Sequence, residues 1–429
     1  MLPITKSEST KSPAALIKGN LGFLFNFANL SFIQVSNVLI QFFLFSLITR
    51  KIGLHALGTV MVVNASATLA GIFINYGTNQ SGIKDVALFK TNAVHLSGIF
   101  YPVYFVRLIL FSLSLLVIWG LYLFAVPDFL FYFFALPILL SEALNPLFFF
   151  IGIEKLFLYN VINLASRVIS AVLILVFIKS ATDAYLVNFF LGLGSAVLYF
   201  VLVIYAIRKY KIFYFRIGKA VWTFFKQNFY LVCNNLSVQL QQSVFLFAIS
   251  AAGNGLVLGA YAICDKIVWI ARLFIISFSS AIFPKATLMQ KEDESKWKAF
   301  KKQVNWILAG AFIVAGIVLF FGSPLIVKIF TGKPDTLTEH YIRAISFVPL
   351  ITALNSLNVL ELLMKNKYHY IFIIALILLA IASIISFALI KLHNPLLFGY
   401  YLLLMESVGL LLYVVFIRQV EKTPELSAS

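Results

Sequence analysis

The sequence predicts an all-α polytopic membrane protein with about twelve transmembrane helices. Of its 429 residues, 62% are hydrophobic and only 11% are charged, whereas a soluble domain needs about 25% charged residues to face water. Apolar runs of about 18–28 residues alternate with short polar interruptions, and roughly 20 helical residues cross a hydrocarbon core. The alternation typical of membrane β-strands is absent from these runs. The lipid bilayer is therefore the expected solvent for most of the chain.

Each long apolar run is predicted to be one span. The predicted spans are 22–48, 57–79, 97–125, 129–151, 159–178, 185–206, 228–252, 255–283, 304–330, 341–362, 369–390 and 395–417. The junction at 251–257 is the shortest connection between two of them. Pro137 and Pro146 lie inside the fourth span, where proline bends a helix and frees backbone carbonyls. We expect that span to be bent, as in transporter spans that line cavities.

Positive charge sets the predicted orientation. With the N-terminus inside, the cytoplasmic segments hold 22 of the 33 Lys and Arg residues, as the positive-inside bias requires. Both termini are then cytoplasmic, and no cleaved signal peptide is expected. The net charge of +17 reflects topology and attraction to anionic lipid headgroups, so it requires no nucleic-acid partner. Cys233 and Cys264 lie in apolar runs and form no metal-binding pattern.

An internal repeat divides the chain into two halves. A shift of about 201 residues places Leu57-Gly58 on Leu258-Gly259, and Lys84 on Lys285. An offset of six spans gives halves of the same orientation, related by a pseudo-two-fold axis along the membrane normal. We predict two six-helix bundles with a cavity between them, and chance similarity between apolar helices is the alternative. The predicted segments are a cytoplasmic N-tail 1–20, an N-terminal bundle 21–206, a basic cytoplasmic linker 207–227, a C-terminal bundle 228–417 and a cytoplasmic C-tail 418–429.

Some ionisable side chains lie too far inside the spans to reach water easily. Only 11 uncharged residues separate Arg167 from Lys179, so the fifth span must include Arg167, which either faces the cavity or extends to the interface. Asp265, Lys266 and Arg272 lie well inside the eighth span. A charge facing lipid costs a few kcal/mol or more. We predict that these four residues line a substrate-binding cavity, with structural ion pairs as the alternative.

Other polar residues in the spans have more than one interpretation. Glu142 in the fourth span and Glu406 in the last are coupling sites for a proton or cation, or ion-pair partners of the arginines. Arg107, Arg343 and Glu361 lie near enough to span ends to reach water. A polar face of the seventh span lines the same cavity or bonds to neighbouring helices. That face comprises Asn234, Asn235, Gln239, Gln241 and Gln242.

The sequence favours a transporter over an enzyme. Its five histidines are dispersed near loops, and it contains neither a phosphate-binding glycine loop nor an HExxH motif. The short outer loops leave no room for a catalytic domain. We therefore expect a secondary transporter or flippase without a cofactor, and leave open whether it is coupled to H⁺ or Na⁺.

Several stretches resemble the Wzx-type polysaccharide flippases. The segment Tyr76–Lys84 (YGTNQSGIK) is similar to their region after span two, and Phe148–Lys155 (FFFIGIEK) is similar to their loop between spans four and five. The stretch Asn163–Arg167 (NLASR) follows it, and Leu258–Lys266 resembles their eighth span. The similarity extends in order over essentially the whole chain. It departs from the family at two positions before GIEK, where Phe148 stands at the Trp-type position and Ile151 replaces the usual Gln.

This resemblance implies a MATE-like member of the multidrug/oligosaccharidyl-lipid/polysaccharide exporter (MOP) superfamily in the bacterial inner membrane. Such a flippase moves an undecaprenyl-pyrophosphate-linked oligosaccharide from the cytoplasmic to the periplasmic leaflet by alternating access, for O-antigen, capsule or exopolysaccharide assembly. Its expected partners are membrane lipids, a polysaccharide polymerase and a chain-length regulator. Lys266, Arg272 and Arg167 would supply cations for the pyrophosphate.

Two other functions are alternatives to this one. A cation-coupled multidrug exporter of the same fold should have acidic residues without basic ones in its cavity, whereas the eighth span carries two basic residues and one acidic residue. A membrane enzyme of polysaccharide synthesis is disfavoured by the short loops.

Overall fold

The computed structural model describes residues 13–213 and 220–422, and every regular element in these ranges is helical. Residues 1–12 of the predicted N-tail, 214–219 of the linker and 423–429 of the C-tail lie outside the described residues. Two short 3₁₀ helices span Ala181–Asp183 and Pro395–Tyr400. The α-helices are α1 (Pro13–Asn75), α2 (Thr78–Leu88), α3 (Ala93–Leu123), α4 (Phe129–Phe133), α5 (Leu136–Leu144), α6 (Leu147–Gly152), α7 (Leu156–Phe177), α8 (Leu186–Lys209), α9 (Ala220–Ala251), α10 (Gly255–Glu292), α11 (Glu294–Phe321), α12 (Ser323–Thr331), α13 (Thr336–Ile345), α14 (Val348–Met364), α15 (Tyr368–Lys391) and α16 (Tyr401–Lys422).

The helices have the length and composition of membrane spans. Within the described residues, nine helical stretches are long and apolar enough to cross a bilayer. Helices α9 and α10 are not among the nine, and α10 carries the charged residues of the predicted eighth span. Large apolar side chains such as Leu116, Val117 and Trp119 on α3 are about 60% exposed, as expected where lipid covers the surface. The chain is thus an all-α membrane protein, and its layout is consistent with the predicted spans.

Proline and glycine interrupt the helices where the sequence indicated breaks. Gly53 has φ 75° and ψ 170° and divides α1 at the connection between the first two predicted spans, a conformation that suits glycine. The fourth predicted span consists of α4, α5 and α6, with Pro137 in the first turn of α5 and Pro146 directly before α6. These prolines cannot donate the backbone hydrogen bonds of a continuous helix. The predicted irregular fourth span is confirmed.

The two predicted halves meet at one end of the molecule through repeat-matched glycines. A Cβ atom built on Gly58 would lie 2.9 Å from the Leu258 side chain, and one built on Gly259 would lie 2.0 Å from the Leu54 carbonyl oxygen. Only glycine permits so close an approach of α1 and α10. We call this the outer end, because the orientation prediction places the Gly53 connection outside the membrane.

Hydrogen bonds reinforce the contact at the outer end. The Arg50 Nε atom donates to the Ile329 carbonyl oxygen at 2.7 Å, and the Ser46 hydroxyl donates to the same oxygen at 2.5 Å. Ile329 lies in the last turns of α12, where helix carbonyls lack intrahelical partners and carry partial negative charge. These bonds join α1 of the first half to α12 of the second.

Glycine also sets the packing of α5 against α8 inside the first half. A Cβ atom on Gly192 would lie 2.2 Å from the backbone nitrogen of Ile138, whereas one on Gly98 would meet no atom within 4 Å. We expect Gly192→Ala to lower stability by about 1–3 kcal/mol through overpacking. The matched control Gly98→Ala should hold or slightly raise stability, because alanine is the better helix former. Thermal unfolding of the purified variants in detergent checks this, and equal midpoints would contradict the packing argument.

Candidate functional site

A central cavity of about 450 Å³ is lined by helices of both predicted halves. Arg167, Asp265, Lys266 and Arg272, the four residues predicted to bind substrate, all line it, and so does Glu142. They come from α5, α7 and α10. Charged residues far apart in the sequence therefore share one chamber.

Arg272 is neutralised by a carboxylate that does not itself line the cavity. Its Nη2 atom lies 2.5 Å from Oε1 of Glu406 on α16, and both side chains are only 15% exposed. Each member of such a sheltered pair offsets the cost of desolvating the other. Of the two interpretations of Glu406, the structure shows the ion pair. Arg272 is thus less available to an anionic ligand than the sequence predicted.

Lys266 has no carboxylate within 4.0 Å among the described residues. Its ammonium group instead lies 5.3 Å from the ring centroid of Trp269 and 5.8 Å from that of Phe45. Both aromatic faces attract a cation without supplying a counter-charge. The preceding residue, Asp265, also attracts Lys266 electrostatically.

Arg167 is the second cation of the chamber that lacks a carboxylate within 4.0 Å in the described parts of the chain. The Gln41 amide, with its oxygen turned towards the guanidinium, accepts from Arg167, and Arg167 Nε is buried without a hydrogen-bond partner. Arg167 and Lys266 lie close enough for their charges to repel each other. Two cations of this kind in one chamber form a site suited to an anion.

Glu142 and Asp265 bring negative charge into the same chamber. Within the described residues, neither has a basic group within 4.0 Å. Glu142 is attracted by Arg107 and lies within hydrogen-bonding reach of Asn75 and Asn145. It is thus a cavity-facing carboxylate backed by a buried cation.

Arg107 does not extend to water, so that prediction is wrong. Its side chain is fully buried, donating to the Asn145 carbonyl oxygen at 2.5 Å, to Asn79 Oδ1 at 3.2 Å and to the Thr78 hydroxyl. These groups replace the water that the charge would otherwise need. Sequence position alone could not reveal this, because the partners come from other helices.

The other two residues expected to reach water differ from each other. The Arg343 side chain is 46% exposed and pairs with Glu339 at 2.5 Å, as expected near a span end. The Glu361 side chain is only 3% exposed and is paired with Lys301 at 2.7 Å and Lys365 at 3.0 Å. For Glu361 the prediction is wrong, because the lysines reach inward to the carboxylate.

Two of the family-like stretches build the scaffold of the first half. Tyr76 and Gly77 adopt positive φ values of 46° and 72°, which begins α2 and presents the groups that hold Arg107. A Cβ atom on Gly152 would lie 2.6 Å from the Val86 side chain, and Glu154 pairs with Lys90 at 3.1 Å. These stretches therefore support the first half without lining the cavity themselves.

The third stretch reaches the cavity itself. Asn163 and Arg167, four residues apart on one face of α7, both line the chamber. Tyr199 donates to Asn163 Oδ1 at 3.1 Å and contacts the Tyr159 hydroxyl at 3.0 Å. Sequence reasoning missed Tyr199, which lines the cavity too, because a neutral residue in a span gives no trapped-charge signal.

Only part of the polar face of the seventh span lines the cavity. Gln239 and Gln242 of α9 line the cavity, whereas Asn234, Asn235 and Gln241 are not among its lining residues. Sugar hydroxyls bind to such amide groups through neutral hydrogen bonds. Part of this face is thus available to a polar ligand.

The Arg272–Glu406 pair can be tested by a double-mutant cycle. Glu406→Gln should lower stability by about 3 kcal/mol, because it leaves a sheltered guanidinium without its counter-charge. Adding Arg272→Gln should restore part of that loss, since the unpaired charge is then removed as well. Thermal and denaturant unfolding in detergent measure both effects. Strictly additive losses would show that the two side chains are not coupled.

Comparison with known proteins identifies the family. Residues 23–290 match the family described as polysaccharide biosynthesis protein. A candidate O-antigen transporter of Shigella dysenteriae is 24% identical over 345 residues, covering 77% of this chain and 84% of that protein. A protein of the same description from Escherichia coli (strain K12) is 20% identical over 355 residues, covering 80% and 84%.

Solved structures share the fold at low sequence identity. An inward-facing multidrug resistance MATE family transporter of the MOP superfamily superposes with a TM-score of 0.71 at 11% identity, covering 90% of this chain and 96% of that one. A MOP superfamily transporter from Pyrococcus furiosus, described as having a binding pocket of reverse polarity, gives 0.61 at 13% identity, covering 92% and 96%. The chain therefore belongs to the polysaccharide biosynthesis protein family, and its fold is that of these solved transporters.

Proposed function

We propose that this protein is a flippase that carries an undecaprenyl-pyrophosphate-linked oligosaccharide from the cytoplasmic to the periplasmic leaflet of the bacterial inner membrane. The observation that carries the proposal is that Arg167 and Lys266 line the same central cavity, each without a carboxylate within 4.0 Å among the described residues. A buried cation without an ion-pair partner is costly. An anionic cargo would supply that partner.

The two cations would bind a pyrophosphate in two different ways. The Arg167 guanidinium offers a planar pair of donors to phosphate oxygens, whereas the Lys266 ammonium acts as a compact point charge. Sugars attached to the pyrophosphate would contact neutral polar groups such as Asn163 and Gln242, which line the same chamber. A cavity of about 450 Å³ admits the pyrophosphate and the first sugars, while the lipid chain remains in the bilayer.

Transport requires the outer end to open. The glycine crossing of α1 and α10 and the bonds from Ser46 and Arg50 to Ile329 hold the halves together there. Separating them would expose the cavity to the periplasm, which is alternating access. We propose Glu142 as the coupling carboxylate for H⁺ or Na⁺, because it faces the cavity and is influenced by the buried charge of Arg107.

The second candidate function is cation-coupled multidrug export. It is favoured by the carboxylates of Glu142 and Asp265 on the cavity wall, which could attract an organic cation. The neighbouring Arg167 and Lys266 would repel the same cargo, so we rank this function second.

Cavity cations provide the direct test. In a strain lacking its own copy, Arg167→Ala and Lys266→Ala should each lower surface glycan at least tenfold, because the pyrophosphate loses a charged partner. The charge-preserving Arg167→Lys and Lys266→Arg should retain more activity, and Lys333→Ala, at an exposed position near the outer end, serves as the control. Surface glycan is measured at matched protein abundance.

Two outcomes would overturn the assignment. Unchanged glycan in both alanine variants would remove the proposed pyrophosphate site. Efflux of cationic dyes by the purified, reconstituted protein, with no movement of lipid-linked glycan, would establish the second candidate instead.

A disulfide across the outer end tests alternating access. A Cβ atom built on Gly58 lies 3.0 Å from Leu258 Cβ, near the separation of about 3.5–4.5 Å found in disulfides. We expect Gly58→Cys combined with Leu258→Cys to block glycan export after oxidation and to recover it after reduction. Each single variant controls for Cys233 and Cys264. Full export by the cross-linked protein would show that this contact need not open.

A further inference from the structure

A second cavity, of about 650 Å³, lies between α11, α14 and α16, on the opposite side of the membrane from the outer end. Four basic side chains line this cavity together with one carboxylate, that of Glu361. We call it the basic pocket. Its charged lining residues are Lys298, Lys301, Lys302, Arg418 and Glu361.

Two cations of the basic pocket have no ion-pair partner among the described side chains. Lys301 is paired with Glu361 at 2.7 Å, and Lys298 lies 3.7 Å from Glu294. Lys302 and Arg418 have no carboxylate within 4.0 Å in the part of the chain that the structure describes. The pocket therefore carries more positive than negative charge, because its one carboxylate, that of the buried Glu361, is already paired.

The basic pocket is separate from the central cavity. On α14 it is lined by Leu354, Asn358 and Glu361, whereas Asn355 and Val359 line a different cavity against α10. These two sets of residues occupy different faces of the helix. None of the residues of the basic pocket lines the central chamber.

The mouth of the basic pocket faces lipid. Trp306, which lines it, is 72% exposed, and the neighbouring Ile307 is 62% exposed. Tryptophan at a span end is typical of the headgroup level of a bilayer. Asn305 Oδ1 lies in the pocket wall, buried and without a hydrogen-bond partner. This oxygen accepts, so a hydroxyl donor of a lipid headgroup, rather than its phosphate, would satisfy it.

We propose that the basic pocket binds the phosphate headgroup of an anionic phospholipid. The lipid comes from the leaflet on the side of the membrane opposite the outer end. Lys302 and Arg418 contact the phosphate oxygens, and the Trp306 ring lies against the glycerol and upper acyl chain. Exposed lysines alone would indicate only topology. Here they line an open cleft together with a buried amide and an exposed indole. Because the ligand bridges α11, α14 and α16, it stabilises the second half.

Lipid binding to the full-length protein tests the proposal. Native mass spectrometry and thermal unfolding in detergent would compare added phosphatidylglycerol with phosphatidylcholine. The wild-type protein should prefer phosphatidylglycerol at least fivefold, and Lys302→Gln with Arg418→Gln should lose this preference. Lys84→Gln with Lys155→Gln is the matched control, because it removes two exposed cations from the first half and should keep the preference. Arg418→Gln alone serves if the double variant does not fold.

Fluorescence locates the bound lipid. Phosphatidylglycerol with brominated acyl chains should quench the tryptophan emission of the wild-type protein more than that of Trp306→Phe. An unchanged lipid preference in the Lys302 and Arg418 variants would overturn the proposal. Stabilisation by inorganic phosphate or pyrophosphate without lipid would identify an ion site instead. Preference for a polyprenyl phosphate over phosphatidylglycerol would also overturn it and link the pocket to cargo.

Discussion

The free-energy cost of holding an ionised side chain in a low-dielectric interior determines how the charges of this molecule are arranged. Buried charges in the described chain are mostly satisfied: Arg272 by Glu406, Glu361 by two lysines and Arg107 by oxygens of α2 and of the α5–α6 junction. Arg167 and Lys266 differ, since neither has a carboxylate within 4.0 Å in the described chain: an amide lies against Arg167, and aromatic rings lie beside Lys266. This difference separates charges that maintain the fold from charges that remain available to a ligand.

Close helix packing is the second constraint, and glycine makes it possible. Gly192 lets α5 approach α8 within the first half, and Gly58 and Gly259 let α1 cross α10 between the halves. The contact between α5 and α8 belongs to the packing of the first half. The contact between the halves is extensive, because α1 packs closely along α10 and is hydrogen-bonded to α12. The proposed alternating access requires this contact to open while each half keeps its own packing.

The family-like stretches perform different tasks. The segments after span two and between spans four and five contribute turns with positive φ values, a tight glycine contact and partners for Arg107. The α7 stretch instead delivers Asn163 and Arg167 to the cavity. The family-like stretches therefore include both scaffold residues and the two cavity cations, Arg167 and Lys266, that we propose to bind the cargo.

The sequence by itself determined the fold class, the positions of the helices and the breaks at Pro137 and Pro146, because span length and proline chemistry are local properties. It also identified the trapped charges, since hydropathy shows how far each lies from a span end. Only the tertiary structure decided which of them pair. Arg272 meets Glu406 from α16, and Lys266 meets Phe45 from α1. The electrostatic state of a charge depends on neighbours that the fold brings together, and no local pattern encodes them.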